Sequence, residues 1–116
     1  MQKIVINTNV IVSALIGKSY PKEIIFSLVL KKKVIVCISP EVFDEYVNVL
    51  NRERFIKYAG FVANAEIVLS RMEELSQKHL PALIIDRIKD DSDNAFLELG
   101  VSANIDFLIT GNTNDQ

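Results

Sequence analysis

The sequence predicts an α/β fold of three layers, α/β/α, in which helices cover both faces of a parallel four-stranded sheet. Short β-branched runs alternate with stretches of helical periodicity from Lys3 to Thr110, the order that builds parallel strands through helical crossovers. One of those runs, Val34-Ile-Val-Cys-Ile38, is apolar at every position, as expected of a strand covered on both sides. The chain has 116 residues, no internal repeat and no low-complexity linker. That length supports one hydrophobic core, so residues 1–116 are expected to form a single domain.

Lys3 to Ile6 form the first strand, which ends at Asn7. From Val10 onward, Val10, Ile11, Ala14 and Leu15 recur at helical spacing until Gly17 stops them. Pro21 suits the first turn of a second helix, whose stripe is Ile24, Ile25, Leu28 and Val29, and Lys31 to Lys33 close it favourably against its dipole. Val34 to Ile38 make the second strand. Ser39-Pro40-Glu41 then combines a capping hydroxyl, a first-turn proline and a first-turn acid, which predicts a helix to about Leu50. Arg52 to Tyr58 reads as another short helix. After Gly60, Phe61 to Gln77 reads as a longer one with Val62, Ala65, Val68, Leu69 and Met72 inward. Pro81 to Ile85 is the expected third strand, Asp91-Ser92 starts a helix to about Ser102, and Asp106 to Thr110 is the expected fourth strand.

Composition removes several classes of function. An apolar fraction of 49% beside 24% charged residues places the chain among folded proteins rather than disordered ones. Thirteen basic and fifteen acidic side chains give a net charge of −2, so any nucleic-acid binding must rest on a local patch. No apolar run has the ~18 residues of a membrane span, and the N-terminus lacks the pattern of a secretory leader. A cytoplasmic protein without a membrane partner is expected. Cys37 alone cannot form an internal disulfide, and its setting suits a small buried hydrophobe. His79 has no companion for a zinc set or a serine triad, and the four glycines form no phosphate loop.

In a parallel sheet, ligands bind beyond the carboxyl ends of the strands, where the strand order reverses. Asn7, Ser39, the Asp86 to Asp93 region and Gly111-Asn112 follow the four expected strands. Glu45 lies three residues after Val42 and four before Val49, which turns a carboxylate inward; it needs a basic partner, a solvated cleft or a cation. Asp90-Asp91-Ser92-Asp93-Asn94 carries more acid than capping requires, and Asp93 shares a helix side with Leu97 and Gly100. A set of carboxylates and amides at the ends of a sheet suits Mg²⁺ or Mn²⁺.

These stretches resemble the PIN domain, a nuclease family found in the toxin halves of bacterial toxin-antitoxin pairs and in RNA-processing proteins. "VINTNVIVSAL" is similar to the family's opening strand and helix, and "SPEVFDEYVNVLNRERF" to its helix with a central Glu. "DDSDNAFLELGVSANIDFLITGN" is similar to its last half, ending in Thr-Gly-Asn. The resemblance implies that Glu45 and Asp93 are acidic metal ligands, that Asn9 orients the site, and that Thr8 and Thr110 are hydroxyls beside it. Asn7 stands where the family has its first aspartate, a neutral amide in place of a charge. Asn112 stands at the fourth acidic position, with Asp106 as a possible source of charge nearby. The chain stops at Gln116, short of the fifth, edge strand with which the family usually continues.

The resemblance thus implies a metal-dependent endoribonuclease, the toxin of a toxin-antitoxin pair, with activity weakened or abolished by Asn7. Catalytic positions would be Asn7, Glu45, Asp93 and Asn112, and the ion would sit on Glu45, Asp93 and Asn7. Arg52, Arg54 and Lys57, with Lys31 to Lys33, are candidates for contact with the RNA backbone; a solvated helix face is the alternative. A cognate antitoxin is the implied protein partner, and a homodimer through residues 10–30 and 61–77 the implied assembly. A rival of another class is a catalytically silent PIN-like module that binds RNA or an antitoxin without cleavage. A third keeps only the fold and gives the acidic pocket to a small ligand.

Overall fold

The computed structural model describes residues 1–17, 22–23, 25, 27, 31–81 and 91–110, with side chains from residue 94 onward in the last segment. Four strands and five helices lie among them: β1 (Lys3–Ile6), α1 (Thr8–Leu15), β2 (Ile35–Ile38), α2 (Pro40–Leu50), α3 (Glu53–Ile56), α4 (Phe61–Leu75), β3 (Gln77–Lys78), α5 (Asp91–Ala103) and β4 (Phe107–Ile109). All pairings are parallel, in the order β3-β2-β1-β4, with Ile4 opposite Val36 on one side and Phe107 on the other. The four-stranded parallel sheet and its helices are the predicted three-layer α/β architecture.

The strand order fixes where a ligand can bind. The chain runs outward from β1 through β2 to β3, then returns to place β4 on the other side of β1. The order therefore reverses between β1 and β4, at the carboxyl end of which stands Asn7. Its N–H donates to the Ile109 carbonyl at 2.9 Å, so the turn after β1 is fastened to the end of β4.

Core packing explains why these elements hold. Val5, Ile6, Ile11, Val42, Val68 and Met72 have essentially no exposed surface, and Cys37 is fully buried. Ile25, from the predicted second helix, is also fully buried; the other positions of that stripe lie outside the described residues.

Three expectations need correction. Helix α1 begins at Thr8 rather than near Val10, because the Asn7 side chain accepts the Asn9 N–H at 3.0 Å and caps it. Helix α4 departs from the predicted face only at its start, where Phe61 is buried and Val62 is 47% exposed; Ala65, Val68 and Met72 are buried as expected. The helix also ends at Leu75, and the strand that follows it among the described residues is Gln77–Lys78. Pro81 is outside any strand, and residues 82–85 lie outside the described ones. The His79 N–H continues the pairing by donating to the Ile38 carbonyl at 2.9 Å.

Candidate active site

A cleft of about 590 Å³ opens at the carboxyl end of β1. The amino end of α1 supplies Asn7, Thr8, Asn9 and Ser13 to its wall, and α2 supplies Glu45. Asn7 is partly buried and extended, with φ −67 and ψ 146, which points its side chain back over the first turn of α1. Thr8 is buried, and among the described residues its Oγ1 has no hydrogen-bond partner. A buried hydroxyl without a partner costs about 1–3 kcal/mol, so it marks a place where a polar ligand has something to gain.

Glu45 reaches the cleft because α2 is anchored at both ends of its first two turns. Ser39, directly after β2, accepts the Val42 N–H at 3.2 Å, and Pro40 occupies the first turn. The fully buried Tyr46 then donates its hydroxyl to the Ile6 carbonyl at 2.5 Å. That bond ties the residue next to Glu45 to the residue next to Asn7. The ring is wedged between Phe43 and Phe96, with centroids 6.4 and 6.0 Å away.

Burial pushes the Tyr46 phenol far above its ordinary value of 10.0, an effect only partly offset by the bond to Ile6. A pKa raised in the folded state contributes stability that is complete below the unfolded value and is lost as pH rises beyond it. Tyr46→Phe is therefore expected to cost about 1–3 kcal/mol at neutral pH, because the Ile6 carbonyl loses a partner. Above pH ~10 that difference should shrink by roughly 1.4 kcal/mol per pH unit, since only the wild-type unfolded chain gains by ionising. Urea denaturation of both proteins across pH 7 to 11 checks it.

Basic and aromatic side chains also line the cleft. Arg52, Arg54 and Lys57 line the same cleft, with Phe55 and Tyr58 among them. The Arg54 guanidinium lies over the Phe55 ring at 4.8 Å, and the Lys57 ammonium over Tyr58 at 5.6 Å. Phe55 in turn stacks on Phe61, 5.2 Å between centroids, which docks this segment on α4. The described lining residues include one carboxylate and three basic side chains.

Other predicted site residues lie elsewhere. Asp106 opens the β1–β4 ladder at the amino ends of the strands: its N–H donates to the Lys3 carbonyl and its carboxylate accepts the Lys3 N–H, both at 2.8 Å. Strands rise about 3.3 Å per residue, so Asp106 is roughly 10 Å from the Ile109 end and supplies no charge to the cleft. Lys31 to Lys33 precede β2 at that same far end, and Lys32 borders a separate hollow there. Thr110 follows β4 at the cleft end and is exposed. The side chain of Asp93, and Asn112 altogether, lie outside the described residues.

Sequence reasoning passed over Ser13, Tyr46 and Tyr58. Ser13 is a buried hydroxyl four residues after Asn9 in an otherwise apolar helix, a visible signal. Tyr58 closes the basic stretch from Arg52, where an aromatic among cations is itself a cue.

Residues 3–114 match the family model of the PIN domain. The chain belongs to the PIN domain family. No curated protein matches the chain, and no solved structure does. PIN domains are generally nucleases, a family that generally uses divalent metal ions, and this PIN domain offers hard oxygen donors in its cleft: the Glu45 carboxylate and the Asn7 amide oxygen. That chemistry fits such an ion. The number of donors is small, for among the described residues no three acidic, histidine or cysteine side chains gather to hold a metal. No helix among the described residues of this PIN domain is long and apolar enough to cross a membrane.

Proposed function

We propose that this PIN domain is an endoribonuclease, the toxin of a cytoplasmic toxin-antitoxin pair, whose activity is held low by Asn7. The observation that supports it is the shared cleft, which Asn7, Thr8, Asn9 and Glu45 line together with Arg52, Arg54 and Lys57. The cations hold the phosphates of an RNA strand, and the helix and strand ends opposite hold the reacting centre. Glu45 and Asp93, with Asn7 as a weak third donor and Asn112 near them, would hold Mg²⁺ or Mn²⁺. A divalent ion there supplies charge neutralisation on the phosphate and a more acidic water for in-line attack.

What the chain's own residues do follows from their contacts. Tyr46 and the Asn7 N–H lock α2 and β4 to the end of β1, so Glu45 enters the cleft at a set height. Asn7 spends one lone pair of its Oδ1 on the Asn9 N–H. It caps as well as an aspartate but brings no charge, which leaves Glu45 as the one described carboxylate in the cleft. Thr110 directly follows β4, at the end of the sheet where Asn7 follows β1. An antitoxin and a second copy of the chain, through residues 10–30 and 61–77, are the proposed protein partners.

The excess of cations over described carboxylates also favours a second reading, a module that binds RNA without cutting it. Incubation of single-stranded RNA with the protein in Mn²⁺ or in chelator separates the two. The expected result is slow cleavage that needs Mn²⁺ and falls below detection in Glu45→Ala. Metal-independent binding with no cleavage by either protein selects the second reading instead.

A further inference from the structure

A hollow of about 300 Å³ lies beside the start of β3, toward the end of the sheet away from the cleft. Lys32, Val34, Val36, Leu75 and Ser76 are among the residues that line it. Ser76 is 8% exposed, and among the described residues its Oγ has no hydrogen-bond partner. Its N–H closes α4 by donating to the Met72 carbonyl at 2.9 Å, so the backbone holds the residue in place and the hydroxyl has no part in that cap. A buried hydroxyl without a partner is unfavourable in the empty protein and favours any polar group that reaches it.

The sheet also lacks a rung there. Successive residues of a strand turn their backbone groups to opposite neighbours. The Ile35 N–H donates to the Gln2 carbonyl at 2.8 Å on the β1 side, and the Ile38 carbonyl accepts the His79 N–H at 2.9 Å on the β3 side. Val36 therefore turns its N–H to the β3 side. Strand β3 begins only at Gln77, opposite Cys37, and the residue before it belongs to the end of α4. No described strand residue stands opposite Val36 there, and the hollow occupies that place.

Lys32 supplies a positive charge. Its φ of 60 is a left-handed conformation that glycine adopts freely and lysine does not, so the turn itself gives no reason for a lysine. The end of α4 gives none either, because the Lys78 ammonium already donates to the Glu73 and Ser76 carbonyls.

We propose that this hollow binds a small monocarboxylate with a branched apolar tail, of the size of isovalerate. The carboxylate accepts the Val36 N–H and the Ser76 hydroxyl and pairs with the Lys32 ammonium, while the tail lies on Val34 and Leu75. The apolar lining favours this class over phosphate, which has no surface to bury against it. The site is separate from the RNA cleft, and the inference does not depend on the proposed function.

Amide N–H correlation spectra of the protein, titrated with isovalerate, acetate, isopentanol and inorganic phosphate, test it. The Val36 amide should shift saturably with isovalerate. Acetate, which keeps the charge and lacks the tail, should bind about tenfold more weakly or less still. Isopentanol and phosphate should give no saturable shift. Ser76→Ala should weaken isovalerate binding roughly tenfold while its urea midpoint holds or rises, since no partner is lost in the empty protein. Lys32→Gly should weaken binding by about two- to fivefold without lowering the midpoint, because glycine suits the turn.

No saturable change at Val36 overturns the site. Acetate or phosphate that binds as well as isovalerate overturns the ligand class. A Ser76→Ala protein that is less stable yet binds isovalerate as its parent does would show that the hydroxyl serves the fold, and it overturns the assignment. None of these results bears on the RNA cleft, which is tested by cleavage in Mn²⁺.

Discussion

Asn7→Asp is expected to bind Mn²⁺ about 100-fold more tightly than the chain as it stands, by calorimetric titration. The magnitude comes from one added charge. A carboxylate about 4 Å from a cationic charge gains ~1 kcal/mol in bulk water and ~4 kcal/mol near a protein surface, and each 1.4 kcal/mol is tenfold. The cleft is open to solvent on one side and walled by protein on the other, which places it between those limits. The fold should tolerate the change. Aspartate is as good a helix cap as asparagine, and a negative charge at the amino end of α1 is favourable. The substitution therefore separates charge from shape: the Asn9 N–H keeps its acceptor while the site gains its second described carboxylate beside Glu45.

Phe61→Ala carries the largest expected effect on stability, a loss of about 3–5 kcal/mol in urea denaturation. Phe61 is fully buried and meets Phe55 and Tyr58 face on and tilted, respectively. Its removal leaves a cavity between α3 and α4 that the short α3 cannot fill. For a domain with a total stability of roughly 5–15 kcal/mol, that is a fifth or more of the whole. The consequence reaches the cleft, because Arg54 rests on Phe55 and Phe55 rests on Phe61. Under conditions where Phe61→Ala is still folded, its RNA affinity should fall along with its stability. An unchanged affinity would mean that the basic segment is positioned by something other than this aromatic stack.

How much of this was legible in the sequence depends on whether a residue's neighbours in sequence or its neighbours across the sheet decide its role. Glu45 could be found because helical spacing from Val42 and Val49 fixes its face, and Glu45 is among the residues that line the cleft. Tyr46 could not: it counts as one more member of an apolar stripe, and only the approach of Ile6, 40 positions away, gives its hydroxyl a task. Asp106 could not be placed from sequence nearness alone, because only three residues separate it from Thr110, yet the strand between them puts those two at opposite ends of the sheet. The strand Gln77–Lys78 has no apolar signal, since it lies exposed at the sheet edge and is recruited by Cys37 and Ile38 rather than by its own propensity. The early start of α1 was hidden for a different reason. A side-chain cap from Asn7 begins the helix two residues before its apolar rhythm does.

The most direct measurement is the rate of single-stranded RNA cleavage in Mn²⁺ by the chain as it stands, by Asn7→Asp and by Asn7→Asp with Glu45→Ala. The account predicts that Asn7→Asp cuts at least 100-fold faster than its parent, that chelator stops it, and that adding Glu45→Ala returns it to background. Folded Asn7→Asp protein that binds Mn²⁺ and RNA yet cuts no faster than its parent would contradict the claim that this cleft is a nuclease centre restrained by one missing charge.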